Sequence, residues 1–245
     1  MKLMDEKVMK RVLSCFAFEG EPVRCEPYGC GHINLTYLVV SASGRRYILQ
    51  RMNEHVTKCI PDLMKNICLV TEHLRRKKGE KGTVLTLVPT RAGEPYLTDE
   101  SGCWRVYDFV EHSLCLQSPE TDGDFYQSAV AFGNFEEELK DFPIGELSEV
   151  IPDFHNTPNR YRIFHQVLEK DVMGRAGEVA EEIRFVLDRE EEMGTLQYLR
   201  EMGELPLRVT HNDTKLNNVL LDADTRRALC VIDLDTVMPG LSLYD

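Results

Sequence analysis

Two apolar runs, Val219-Leu220-Leu221 and Ala228-Leu229-Cys230-Val231-Ile232, stand on either side of Asp222-Ala223-Asp224-Thr225, and no other feature constrains the chain as tightly. Turn-forming residues at the junction predict that the runs pair as an antiparallel hairpin. A hairpin returns its two outer ends to one place. Both ends are polar here: His211, Asp213, Lys215 and Asn218 precede the first run, and Asp233 and Asp235 follow the second. Asp, Asn and Thr are also ordinary turn formers, so polar flanks by themselves require no chemistry.

Spacing adds information. HNDTKLNN has the form H-x-D-x-x-x-x-N, by which a kinase catalytic loop sets a base and a metal-binding amide on one short turn. The pattern is weak alone and gains weight from Asp233, which the hairpin carries back beside Asn218. Magnesium takes hard oxygen ligands and often only one or two from protein, so an Asn carbonyl and an Asp carboxylate suit it. Asp213 is then the expected base. Lys215 is expected either to neutralise a transferring phosphoryl group or to form an exposed ion pair. Asp235 is a weaker metal candidate, because it also suits the cap of the following turn.

Charge and cysteine usage limit the alternatives. With 29 basic and 41 acidic residues among 245, the net charge of −12 gives no positive field for a nucleic acid backbone. The eight cysteines include no C-x-x-C pair and are not clustered with His at zinc-ligand spacing. Charged residues interrupt every apolar stretch of the amino terminus, which leaves no signal-peptide core or anchor, and no later run reaches membrane-spanning length. A cytoplasmic protein with reduced thiols and a small-molecule partner is expected; the oligomeric state is not legible.

Along the chain, residues 3–18 place Val8, Val12, Cys15 and Phe16 on one face and predict an amphipathic lid helix. Tyr37 to Val40 and Tyr47 to Leu49 predict a hairpin around Ser41-Ala42-Ser43-Gly44. Pro61 opens a helix whose apolar stripe is Leu63, Ile67, Val70 and Leu74. Residues 83–88 and 103–110 predict two more strands, separated by Gly93, Pro95 and Gly102. Beyond Glu111 the pattern becomes helical: Phe125, Phe132, Phe135 and Leu139 mark one helix, and residues 160–171 and 177–203 carry others. An α+β chain is expected, divided near residues 111–118 into an antiparallel sheet with one inserted helix (1–111) and a mainly helical part (112–245).

THNDTKLNNVL followed by VIDLDTVMPG resembles the kinase-like phosphotransferases of the aminoglycoside phosphotransferase and choline kinase family, with wording most similar to the N-acetylhexosamine 1-kinases. The resemblance implies a protein-kinase-like two-lobed fold and an ATP- and Mg2+-dependent kinase acting on a sugar, at the anomeric hydroxyl of an N-acetylhexosamine. Another small alcohol (aminoglycoside, choline, homoserine or methylthioribose) and a nucleotide-binding module without turnover stay open. GCGHINLTYLVV (29–40) resembles the loop that covers the phosphates, which implies nucleotide contacts for Gly29, Gly31, Asn34 and Thr36. The next strand has no lysine, and Arg51 is its nearest substitute, with Glu72 as a candidate partner, unless Gln50 takes the inward register. Phe109, Val110 and Glu111 stand at the implied hinge, and IPDFHNTPNRY brings His155, Asn156 and Arg160 to the acceptor side unless Asn-Thr-Pro is a plain turn. Relatives continue past the position of Asp245, so a partial large lobe is expected.

Overall fold

The computed structural model describes residues 5–29, 31, 33–79 and 82–245; the first residues of the expected 3–18 helix, and Cys30 and His32 of the glycine loop, lie outside these. Six antiparallel strands form the first sheet: β1 (Pro22–Pro27), β2 (Leu35–Ser41), β3 (Arg46–Arg51), β4 (Leu87–Val88), β5 (Leu97–Asp99) and β6 (Gly102–Asp108). Their order is β1-β2-β3-β6-β4, with β5 also on β6. The β2–β3 hairpin has the predicted turn, in which Gly44 takes φ +85 and its N–H donates to the Ser41 carbonyl at 2.9 Å. Only Leu87 and Val88 of the expected 83–88 strand join the ladder. Upstream, the Thr86 hydroxyl turns back onto the Val84 carbonyl at 3.0 Å, a local bond that competes with pairing.

Strand alternation gives the sheet two distinct faces. Tyr37, Val39, Tyr47, Leu49, Trp104 and Val106 pack against Val12 and Phe16, which α1 (Glu6–Ser14) and the turn after it supply. Ile48, Gln50, Cys103, Arg105 and Tyr107 point the other way, where α2 (Ile60–Lys78) buries its predicted stripe of Leu63, Ile67, Val70 and Leu74. Each such side chain, removed from water, stabilises the fold by about 2 kcal/mol. The same cluster reaches Phe135, Leu139, Leu234 and Val237, so α2 is wedged between the sheet and the rest of the chain.

One polar residue fixes that wedge. Asn66 of α2 is fully buried; its amide N–H groups donate to the carbonyls of Ser148 (2.8 Å) and Val237 (2.9 Å), and its oxygen accepts from the Ser148 N–H (2.9 Å). Asn66→Leu strands all three backbone groups away from water. It is expected to lower unfolding stability by about 3 kcal/mol, read from urea denaturation, whereas an exposed control such as Lys65→Leu stays near the parent.

Beyond Asp108 the chain enters a second sheet through β7 (Ser113–Cys115), which pairs with β9 (Val219–Asp222), itself paired with β10 (Ala228–Val231). The β9–β10 hairpin matches the sequence reading. In α3 (Asp122–Leu139) the face of Phe132, Phe135 and Leu139 is buried, but Phe125 is 61% exposed. The first turn of α3 packs through Asp124 instead. Helix α4 (Thr157–Lys170) follows, but residues 177–203 break into α5 (Ala180–Leu187), α6 (Glu190–Met193) and α7 (Thr195–Glu201), with Gly194 capping α6. β8 (Arg208–Thr210) pairs with β11 (Met238–Gly240). No helix among the described residues is long and apolar enough to cross a membrane.

Asp124 ties α3 to the hairpin. The Arg226 guanidinium contacts it at 2.9 and 2.8 Å, and the Glu120 and Thr121 amides donate to it at 2.9 and 2.8 Å. Arg226, helped by those amides, holds the Asp124 carboxyl well below the usual carboxylate range despite its enclosure. A depressed folded-state pKa contributes stability above the unfolded value and loses it as pH falls through the folded one. Asp124→Asn should therefore lower the urea midpoint at pH 7, with the gap to the parent closing as pH drops below about 4.

Candidate functional site

β8 delivers the chain to His211, Asn212 and Asp213 at the foot of the hairpin. His211 is buried edge-on to Phe132 and Phe135 (ring centroids 5.2 and 5.9 Å). Its Nδ1 accepts from the Asp213 N–H at 3.3 Å, so Nε2 carries the proton and donates to the Ile232 carbonyl at 2.9 Å. Asn212 adopts φ +66, a conformation asparagine tolerates, and its amide donates to the carbonyls of Thr210 (3.2 Å) and Thr236 (2.9 Å). The Asp245 carboxylate accepts the N–H groups of His211 (2.5 Å) and Asn212 (2.6 Å), and Thr214 donates to the Asp245 carbonyl at 3.1 Å. Burial pushes the Asp245 carboxyl upward, against those two amides. The loop is thus held from both sides, with the Asp213 side chain half-exposed.

Asp213 Oδ2 lies 2.7 Å from Lys215 Nζ and accepts from Asn218 Nδ2 at 3.0 Å, while the same Nδ2 reaches the Asp213 carbonyl at 2.9 Å. An amide turned this way directs its oxygen to the opposite side. The hairpin register, with Val219 opposite Val231 and the Ile232 N–H donating to the Asn218 carbonyl at 2.9 Å, brings Asp233 up beside Asn218. Asp233 sits in the left-handed region (φ 59, ψ 58) and is exposed to solvent. Burial raises its pKa, and the nearby Asp235 raises it further. A carboxylate so placed gains from a cation. Among the described residues no cluster of three or more His, Cys, Asp or Glu forms a metal cage, but Mg2+ shared with phosphates needs only one or two such ligands, so Asn218 and Asp233 fit it.

The first sheet supplies the opposite wall. Asn34 Nδ2 donates to Asp235 Oδ2 at 2.7 Å, and Thr36 accepts from Gln50 Nε2 at 3.2 Å. Gly29, at φ +77, and Gly31 have open space where a Cβ would stand. Arg51 does not face this wall. Alternation along β3 sends it to the α1 side, where it crosses Gly102 with Nε 2.9 Å from that residue's would-be Cβ. Glu72 is exposed beside Arg76 at 3.8 Å, a solvated helix carboxylate and not a partner of Arg51. The inward basic residue is Arg105 of β6, buried, with Nη1 2.6 Å from Asp235 Oδ1.

At the hinge, the Phe109 N–H donates to the Arg46 carbonyl at 3.1 Å, the Val110 carbonyl accepts from Ser113 Oγ at 2.6 Å, and Glu111 pairs with Arg46, so these groups brace the strand end. Asn156 caps α4, Arg160 donates to the Phe154 carbonyl, and Phe154, His155 and Asn156 line a concavity beside the loop. His155 does reach the loop: Nε2 donates to the Asn212 carbonyl at 3.1 Å, and its ring lies 4.9 Å from that of Tyr244. Sequence reasoning missed Arg105, Asp245 and Asn66. A lone arginine in CWRVYDFV was a usable signal for the first; the other two residue types carry no pattern.

The sequence profile of the phosphotransferase enzyme family matches residues 24–245. Among solved structures, the chain is similar to an aminoglycoside phosphotransferase from Alicyclobacillus acidocaldarius subsp. acidocaldarius DSM 446 (17% identity, TM-score 0.64, covering 100% of this chain and 70% of that one). It is also similar to a microcompartment-associated aminopropanol kinase (18% identity, TM-score 0.59, 98% and 72%) and to the amicoumacin kinase hAmiN in complex with AMP-PNP, Ca2+ and Ami (15% identity, TM-score 0.59, 98% and 66%). At these identities the likeness establishes the fold: two-lobed and protein-kinase-like, with an antiparallel sheet in one lobe and a mainly helical second lobe.

Proposed function

The chain belongs to the phosphotransferase enzyme family, and on that premise we propose that it moves the γ-phosphoryl group of ATP to a sugar, at the anomeric hydroxyl of an N-acetylhexosamine. It is an ATP-dependent phosphotransferase with an alcohol acceptor; the sugar is the narrower reading. In this proposal residues 1–111 form the nucleotide lobe and 112–245 the acceptor lobe. Asp213 accepts the proton of the acceptor hydroxyl, and Lys215, beside it, offsets charge on the transferring group. Asn218 and Asp233 are assigned to Mg2+, whose bound charge neutralises the phosphates during a loose transition state.

The sugar reading is carried by the lining of the shallow, open concavity next to the loop, which includes Glu149, Asp153, His155, Asn212, Arg200 and Tyr244. Its acids are engaged internally. Asp153 accepts from Asn156 (2.7 Å) and Asn159 (3.2 Å), and Glu149 accepts from the Asp153 N–H at 3.3 Å. A cationic acceptor, such as the aminoglycosides or aminopropanol in the relatives' names, calls for free carboxylates. A neutral, hydroxyl-rich ring meets aromatic and amide groups instead. An anomeric hydroxyl is also more acidic than an ordinary alcohol, so a carboxylate base needs only to assist.

Phosphorus NMR on a panel of sugars and amino alcohols with ATP and Mg2+ tests this. N-acetylglucosamine or N-acetylgalactosamine is expected to give a sugar 1-phosphate. Phosphorylation elsewhere on the ring, or of amino alcohols alone, removes the sugar reading and leaves the family unchanged.

A further inference from the structure

Arg105 is a fully buried guanidinium whose Nη1 lies 2.6 Å from Asp235 Oδ1 but off the line of a hydrogen bond, so neither atom has a hydrogen-bond partner. Its Nε donates to Gln50 Oε1 at 2.9 Å, and the Tyr107 ring lies under it at 5.2 Å. Gln50 passes the contact on to Thr36, and Asn34, two residues before Thr36, donates to the second oxygen of Asp235. Asn34 Oδ1 also accepts the Asn53 N–H at 3.0 Å. The contacts therefore close a ring, and every member except Asp235 belongs to the first sheet or its loops.

We propose that Asp235 is the receiving end of an interlobe clasp and not a metal ligand: Arg105 and Asn34 grip its two oxygens and so fix the phosphate-covering loop over Asp233. Turning Asp235 toward a metal would leave the Arg105 charge buried and unpaired, among the costlier changes a protein can suffer. The clasp stands in for a basic residue on β3, since Arg51 faces α1 and Glu72 is exposed beside Arg76. Arg105 and Asp235 are positioning residues in this scheme. Its relevance to turnover rests on the phosphotransferase reading above; the contact itself does not.

The test uses the full chain carrying Asp235→Asn, Arg105→Met, both together, or Asn34→Ser. Without nucleotide, amide exchange at Leu35 to Tyr37 should quicken by about tenfold in each single variant, and the double variant should be no faster than its parents. ATP affinity by calorimetry should weaken about tenfold with the same lack of additivity. The Mg2+ concentration giving half-maximal ATP binding should stay at the parent value in Asp235→Asn and rise in Asp233→Asn. Additive effects, unchanged exchange, or a Mg2+ shift in Asp235→Asn matching that of Asp233→Asn would each overturn the clasp. If Arg105→Met does not fold, Asn34→Ser still reads the contact from a half-buried position. If the parent binds no ATP, the phosphotransferase reading fails and the exchange measurement still decides the clasp.

Discussion

Asp213→Asn is expected to bind ATP with nearly the parent's affinity while turnover falls by about 10²–10⁴-fold, the range for losing a general base. The substitution keeps the side chain's size and leaves an oxygen to accept from Asn218, so the loop held by Asp245 and His211 should keep its shape. It removes the charge that pairs with Lys215 at 2.7 Å. Single-turnover kinetics on the acceptor found by NMR, alongside calorimetry with ATP, measures both halves. Equal loss in binding and turnover would mean that Asp213 shapes the site and does not take the proton.

Asp233→Asn should be nearly as severe in turnover, with no loss of stability. If Asp233 holds Mg2+ as proposed, losing its charge removes several kcal/mol of transition-state stabilisation, about 10³-fold in rate. Asparagine tolerates the left-handed backbone at this position, so no new strain accompanies the change. Burial and Asp235 both disfavour the Asp233 charge, so the nucleotide-free variant should melt at or above the parent's temperature. A fall in melting temperature together with retained activity would place the metal elsewhere.

The hairpin and the helical stripes were legible because periodicity and turn chemistry are local: Leu63 to Leu74 and the β9–β10 reversal each declare themselves within a short window. Asp213, Asn218 and Asp233 converge because one hairpin joins them. The errors came where a choice depends on long-range pairing. Whether Gln50 or Arg51 faces inward is set by the register of β3 on β6, and one step of a strand reverses the answer. The break-up of residues 177–203 was hidden for a related reason, since charge-rich helical spacing does not reveal where tertiary contacts interrupt it. Phe125 looked like core because it stands one heptad before Phe132, yet the first turn of α3 is anchored by an ion pair with the hairpin.

Asp245 supplies the acceptor for two loop amides from a point 34 and 33 residues later in the chain. During synthesis, the first sheet and α2 leave the ribosome before that carboxylate exists. His211 and Asn212 then have no acceptor for their N–H groups, and Asp213 has no fixed bearing. The sheet and α2 can thus form while the loop that bears Asp213 still lacks the acceptor for these two amides.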